Sequence, residues 1–193
     1  MRMGPYPEVT PMMSRNISAW LIAIMSVTAW AEPAKDAPAP AVDRVGFPQG
    51  YQASFQVLRT VTHKEEGKIV TVYGNALAAS VTNASQLPYP YGSVIVMEST
   101  GARKGADGKV ELDAKGELHP EKVLGLHVMR REKGFGEAYR DKRSGEWEYV
   151  EYRADGSYLT PTTKSAACSA CHVKAGPEKD FVFQGRLASA AKK

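Results

Sequence analysis

Two cysteines and a histidine near the C-terminus have the spacing in this chain that is best suited to chemistry. Cys168 and Cys171 are the only cysteines among the 193 residues, and His172 directly follows the second. In a Cys-x-x-Cys-His motif, the two thiols can add to the two vinyl groups of haem while the histidine binds the iron. The spacing therefore predicts one haem c, attached covalently through Cys168 and Cys171, with His172 as the proximal iron ligand.

Three other interpretations of the same residues stay open. A thioredoxin-like redox pair requires a βαβ pattern, which the surrounding sequence does not show. A structural zinc site requires four close ligands, and only Cys168, Cys171 and His172 are clustered. A short motif can also occur by chance. Because the chain also begins with a sequence typical of export and has no further cysteines, haem attachment explains the pattern best.

The other axial position of the iron could be filled by one of the remaining histidines or by a methionine. His63 and His119 stand among charged residues and proline in segments typical of solvated loops. His127 stands on a predicted strand with Leu124, Leu126 and Val128 on one face and Val123, Gly125, His127 and Met129 on the other; both faces are mostly apolar, so we expect the strand to be buried on both sides. Gly125, two residues before His127, leaves space in which a flat group could approach. A core histidine that bonds to the backbone is the alternative interpretation of His127.

Alternating apolar and polar residues predict the strands that position these side chains. The predicted strands cover residues 51–61, 68–73, 92–99, 123–130 and 146–153. Asn75 can cap a short helix near residue 78, and a second short helix is expected around the cysteines. Strands outnumber helices and every connection suits antiparallel pairing. The predicted fold class is therefore mainly β, an antiparallel sheet with a few short helices and a C-terminal haem-attachment segment.

The N-terminal part of the chain predicts export. Arg15 precedes an apolar run over residues 17–29, and Ala29 and Ala31 form a small-x-small cleavage site. The run is shorter than a membrane span and ends in charged residues, so no span is expected once the signal is removed. We expect a signal peptide at 1–31, a flexible Pro/Ala linker at 32–44, and a periplasmic haem domain at 45–193.

The charge of the chain is mildly basic. The formal net charge is +4, and no long Lys/Arg run is present, so nucleic-acid binding is not expected. A mildly basic protein suits an acidic electron-transfer partner in the periplasm.

Several local strings resemble the cytochrome P-460 family and its relatives, the cytochromes c′-beta. These strings are FPQGY at 47–51, TVY at 71–73, GSVIVME at 92–98, LGLH at 124–127, and DFVF at 180–183 after the Cys-x-x-Cys-His motif. The resemblance implies a homodimeric antiparallel β domain with a single five-coordinate haem. It also implies a small-molecule ligand, because members of the family oxidise hydroxylamine or bind nitric oxide.

The resemblance assigns functional positions from which this chain departs. In hydroxylamine-oxidising members a lysine is bonded to the haem edge, and its position falls on Met97. The position of the distal carboxylate falls on His127, and that of a nearby arginine falls on Val70. We expect Met97, Val70 and Gly125 to line the haem pocket and His127 to act on the distal side. Simple packing of Met97 in the core is the alternative.

Three functions remain open on this basis, and whether the chain is an enzyme is left undecided. It is a small-ligand haem protein if His127 serves as a distal acid/base for nitric oxide, hydroxylamine or peroxide. It is a six-coordinate electron carrier if His127 or Met97 binds the iron. It has a lysine-bonded haem if another lysine, such as Lys68 or Lys122, reaches the ring.

Overall fold

Six consecutive strands form one antiparallel sheet in the part of the chain that the computed structural model describes, residues 37–183. Each strand pairs with the next along the chain, which confirms the predicted fold class. The predicted signal peptide and the first part of the predicted linker lie outside the described residues. The strands are β1 (Gln56–His63), β2 (Lys68–Gly74), β3 (Val94–Ala102), β4 (Pro120–Arg131), β5 (Trp147–Tyr152) and β6 (Tyr158–Thr160).

Short helices connect and cover these strands. The α-helices are α1 (Tyr51–Ser54), α2 (Ala76–Ser80) and α3 (Ala166–Val173), and short 3₁₀ segments lie at Ala84–Gln86, Glu137–Lys142, Thr162–Lys164 and Pro177–Lys179. Asn75 caps α2 as predicted, because its side-chain oxygen accepts from the amide of Ala78 at 3.0 Å. Among the described residues, no helix has the length and apolar character needed to cross a membrane.

The first predicted strand begins later than the alternation suggested. Residues 51–54 are helical, and β1 starts only at Gln56. Gly50 has a φ of 69°, which turns the chain into α1. The hydroxyl of Tyr51 then donates to the buried carboxylate of Glu98 on β3. Helix α1 thus packs on the sheet and is anchored there through the side chain of Tyr51.

The two faces of the sheet are covered by different parts of the chain. Successive side chains of a strand point to opposite faces, so neighbouring buried residues belong to separate cores. The first, the α1 face, buries Val96, Leu126, Val128, Val150 and Tyr152 beneath Val45 and Tyr51. The second, the α3 face, buries Ile95, Met129, Trp147 and Tyr149 beneath Ala78 of α2, Ala166 of α3 and Val182.

A bulge changes the alternation of β4. Ser99 pairs with Gly125 but the next residue, Thr100, pairs with Val123, so Leu124 is the extra residue. Val123 therefore packs against the core of the α1 face rather than sharing a face with His127 as the simple alternation predicts. The expectation that this strand is buried on both sides is also wrong, since Leu124 and His127 are exposed. This part of the α3 face is not covered by the helices.

Candidate functional site

Helix α3 carries the complete Cys-x-x-Cys-His motif. Cys168, Cys171 and His172 stand at positions i, i+3 and i+4, so one side of the helix presents all three. Both thiols are free, Cys168 partly buried and Cys171 exposed. Burial raises the pKa of Cys168 to about 11, and the nearby charge of Glu151 adds to this shift. Two free thiols on the same side of the helix as an imidazole fit the attachment of haem.

The zinc interpretation finds no support within residues 37–183. No group of three or more histidine, cysteine, aspartate or glutamate side chains in that range is arranged to hold a metal ion. A structural zinc site would bring four such ligands together.

A chain of buried hydroxyl groups fastens α3 to the sheet. The hydroxyl of Tyr149 lies 2.7 Å from Ser144 Oγ, and Ser144 Oγ lies 2.8 Å from Ser169 Oγ. Ser169 stands between the two cysteines and donates to the carbonyl of Lys142 at 2.7 Å. A hydroxyl has a single hydrogen, so Ser144 donates to Ser169 and Tyr149 donates to Ser144. The residue between the cysteines thus anchors the motif.

The ring of His172 is held in one orientation by its neighbours. Its Nδ1 lies 2.7 Å from the carbonyl oxygen of Phe181, and its ring centroid lies 4.7 Å from that of Tyr149 and 5.3 Å from that of Phe183. Burial lowers the pKa of His172, so burial favours the neutral imidazole. Because Nδ1 donates to a carbonyl, Nε2 keeps its lone pair. This is the arrangement that metal-binding histidines usually have.

The four predicted pocket residues lie together on the α3 face. Val70 pairs with Ser99, which pairs with Gly125, and Met97 pairs with His127 on the neighbouring strand. Directly opposed residues of adjacent strands share a face, so these side chains form one patch across β2, β3 and β4.

His127 is paired with a carboxylate that the sequence-based reasoning did not identify. Its Nδ1 lies 2.6 Å from Glu151 Oε1, directly across the β4–β5 pair. Thr160 of β6 donates to the other oxygen of Glu151 at 2.5 Å. The side chain of His127 is 44% exposed, so the alternative of a buried histidine bonded to the backbone is wrong. Because side chains alternate along a strand, Glu151 is expected on the same face as Trp147 and Tyr149. This pattern is the sequence signal that could have identified Glu151.

The space beside Gly125 is smaller than the sequence suggested. A Cβ atom at this position would lie 3.1 Å from Cδ2 of Leu159, which approaches from β6. Leu159 therefore occupies the gap that was expected to admit a flat group. Leu159 is 45% exposed, so its side chain has room to move.

The lysines of the third hypothesis differ in their placement. Lys68 lies two residues before Val70 and therefore on the α3 face, but its ammonium group lies 3.1 Å from a carboxylate oxygen of Glu66. Lys122 lies near the start of β4 and is exposed. Met97, at the matching position, is partly buried.

The protein-family model described as Cytochrome P460 matches residues 48–184, which include all six strands and α3. No curated protein matches the chain at a significant level.

Proposed function

Because the chain belongs to the cytochrome P460 family and is therefore a haem cytochrome, we propose that it binds a small nitrogen-oxide ligand beside His127. Nitric oxide and hydroxylamine are the ligands that the family resemblance favours. The single observation that carries the proposal is the His127–Glu151 pair, which stands on the same face of the sheet as the helix that carries Cys168, Cys171 and His172.

The proximal side of the proposed site is built on α3. Cys168 and Cys171 would hold one haem c through thioether bonds, and Nε2 of His172 would bind the iron. The bound haem supplies an iron centre that can bind diatomic ligands and exchange electrons. The acceptor at Phe181 and the ring of Tyr149 support this assignment, because they hold the imidazole with Nε2 free.

The distal side of the proposed site is the patch on β2 to β4. Glu151 accepts from Nδ1 of His127 and leaves Nε2 free to hold or deliver a proton at the ligand. Thr160 fixes the carboxylate from its other side. Val70 and Met97 supply apolar walls that exclude water from the ligand. Without a lysine at the position of Met97, the family's bond between lysine and haem is not expected there.

A six-coordinate electron carrier is the second candidate function. The observation in its favour is the same pair, because a carboxylate on Nδ1 is also the usual partner of a metal-binding histidine. His127 would then be the second axial ligand, with Met97 as the other candidate.

Absorption spectra of the purified ferric and ferrous protein, with and without nitric oxide or carbon monoxide, separate the two functions. A ligand-binding site predicts uptake of both gases by the reduced protein. His127→Ala should then release the ligand about fivefold faster, since one hydrogen bond contributes about 1 kcal/mol. His119→Ala, which removes a histidine from the long β3–β4 connection, is the matched control. A reduced protein that takes up neither gas contradicts the ligand-binding function.

The electron carrier predicts a low-spin spectrum in both redox states. His127→Ala should make that spectrum high-spin, and if neither this variant nor Met97→Ala changes it, both candidate ligands are wrong. Mass spectrometry of the haem peptide after proteolysis tests the lysine-bonded haem in the same samples. Recovery of haem on the peptide of Cys168 and Cys171 alone excludes a bond to Lys68 or Lys122.

The proposal also includes export, a homodimer and a periplasmic electron partner. Residues 1–31 act as the signal peptide and residues 32–44 as a linker to the haem domain at 45–193. The support for these points is the signal-like sequence, the mildly basic charge and the family resemblance. The mass of the protein recovered from the periplasm should correspond to a chain that begins at Glu32, and light scattering should give twice that mass.

A further inference from the structure

The segment that follows the haem-attachment helix has an unusual backbone. Asp180 has φ 49° and ψ 36°, and Phe181 has φ 59°. Two successive residues other than glycine thus adopt the left-handed region, which side chains with a Cβ atom disfavour. Such a conformation persists where surrounding contacts impose it. The DFVF string begins at these two residues, and no function has been assigned to them so far.

Asp180 is held by buried contacts from three directions. It is 6% exposed, and its Oδ2 accepts from the amide of Tyr89 at 2.9 Å and lies 3.4 Å from Nε of Arg131. Its backbone carbonyl accepts from the indole of Trp147 at 2.9 Å. A buried carboxylate is costly unless it is paired and hydrogen-bonded, and Asp180 is both.

The guanidinium of Arg131 is held by hydrogen bonds to other groups, and its Nε faces Asp180 as an ion pair without a hydrogen bond. The residue is 8% exposed, its Nη1 donates to the carbonyl of Tyr89 at 2.5 Å, and its Nη2 donates to Glu146 at 3.2 Å. Arg131 is the last residue of β4, the strand that also carries His127. The Arg131–Asp180 pair therefore ties the segment after α3 to the sheet.

This conformation determines where the carbonyl group of Phe181 points. The amide of Phe181 donates to the carbonyl of Gly176 at 2.9 Å, and its own carbonyl oxygen lies 2.7 Å from Nδ1 of His172. Hydrogen bonds thus fix the orientation of both peptide groups that flank Phe181, one through Gly176 and the other through His172. If Asp180 lost its contacts, the strain in the left-handed region would be released and the carbonyl group would turn away.

We propose that Asp180, held by Arg131, is a positioning residue for His172. The buried pair imposes the left-handed conformation that presents the carbonyl oxygen of Phe181 to Nδ1 of the imidazole. The acceptor orients the ring and makes Nε2 a stronger donor to a metal. This inference rests on the proposed function, because it takes His172 as the proximal ligand.

Asp180→Ala and Asp180→Asn of the haem-loaded protein test the inference by resonance Raman spectroscopy of the ferrous state. Alanine removes every side-chain contact and should lower the iron–histidine stretching frequency. Asparagine keeps an acceptor for Tyr89 and tolerates the left-handed region, so its shift should be smaller and in the same direction. Asp141→Asn, which neutralises an exposed aspartate, is the matched control and should leave the band unchanged.

The nitric oxide complex provides a second measurement on the same variants. Loss of a partner in this position typically weakens metal binding by about 10–100-fold, so Asp180→Ala should raise the dissociation constant of His172 from the iron by that factor. In Asp180→Ala, the fraction of the ferrous nitric oxide complex that has lost His172 and is five-coordinate should rise accordingly, as read from the absorption spectrum. In Asp141→Asn this fraction should remain unchanged.

The outcomes separate the inference from the function on which it rests. An unchanged iron–histidine band in a folded, haem-loaded Asp180→Ala variant overturns the positioning role. If that variant does not fold, Asp180→Asn decides alone, and an absent shift overturns the role in the same way. If the original protein itself shows no iron–histidine band and His172→Ala leaves its spectrum unchanged, the assignment of His172 as ligand fails instead.

Discussion

Removal of the Tyr149 hydroxyl should lower the free energy of unfolding by an amount that depends on whether Ser144 is present. Tyr149 is 3% exposed, and its hydroxyl donates to Ser144 in the chain that leads to Ser169 of α3. Phenylalanine keeps the ring that packs on His172 and loses one hydrogen bond. Because Ser144 retains Ser169 as a partner, no buried group is left unpaired. Tyr149→Phe should therefore lower the free energy of unfolding by about 1 kcal/mol.

The change of Ser144 to alanine should be more costly. Alanine removes the middle hydroxyl, and the buried hydroxyl of Tyr149 then has no partner. The two lost hydrogen bonds, to Tyr149 and Ser169, and the unpaired Tyr149 hydroxyl together should lower the free energy of unfolding by about 3 kcal/mol. In this background Tyr149→Phe removes the unpaired hydroxyl and should cost nothing or restore part of the loss. The expected coupling energy between the two changes is about 1–2 kcal/mol.

Equilibrium unfolding in guanidinium chloride, followed by circular dichroism, measures these differences in the free energy of unfolding. The four haem-loaded proteins to compare are the original chain, Tyr149→Phe, Ser144→Ala and the double variant. Tyr91→Phe is the control, because Tyr91 is exposed and bonds to Glu146, so it should show no coupling to Ser144→Ala. If Tyr149→Phe costs the same with and without Ser144, the hydroxyl chain does not fasten α3 to the sheet.

Three further predictions concern other parts of the fold. Burial raises the pKa of Tyr139 to about 12, so the folded state keeps a phenolic proton that the unfolded chain loses above pH 10. The free energy of unfolding of the original chain, relative to that of Tyr139→Phe, should therefore fall by about 2 kcal/mol between pH 10 and 12 in urea titrations. Gly145→Ala should lower the melting temperature more than Gly116→Ala. Both glycines have positive φ, but a Cβ atom at position 145 would lie 2.8 Å from the ring of Phe181, whereas a Cβ atom at position 116 would meet no atom within 4 Å. Equal changes in melting temperature would contradict this reasoning. Asn75→Ala should cost about 2–3 kcal/mol in chemical denaturation, because the side chain accepts from the amides of Ala78 and Val94 and donates to the carbonyl of Gly92. Asn75→Asp should cost less, because it keeps both acceptor bonds and loses only the donor to Gly92.

Local patterns predicted most of the sheet but not how its strands meet. Residues 69–72 are all β-branched, and β2 forms over this segment as expected. The bulge at Leu124 has no local signature, so the simple alternation put Val123 on the wrong face. The short strand β6 was not predicted, and its residue Leu159 fills the space beside Gly125.

Local spacing indicated the motif on α3, and the family resemblance indicated the pocket positions Val70, Met97, Gly125 and His127. The motif of Cys168, Cys171 and His172 is readable because one helix holds all three at fixed spacing. The pairing of His127 with Glu151 depends on the register between β4 and β5, which no local pattern specifies. Glu151 was therefore missed although its face could be inferred.

The sequence by itself determined the chemistry available to this protein. The spacing of two thiols and an imidazole is a covalent property of the chain, and it predicts haem attachment without a structure. Only the tertiary structure decided which groups surround that site. Glu151 reaches His127 across a strand pair, and Asp180 reaches Arg131 from a segment almost fifty residues away in the chain. Such contacts depend on strand register, a bulge and long-range packing, which are collective properties of the fold.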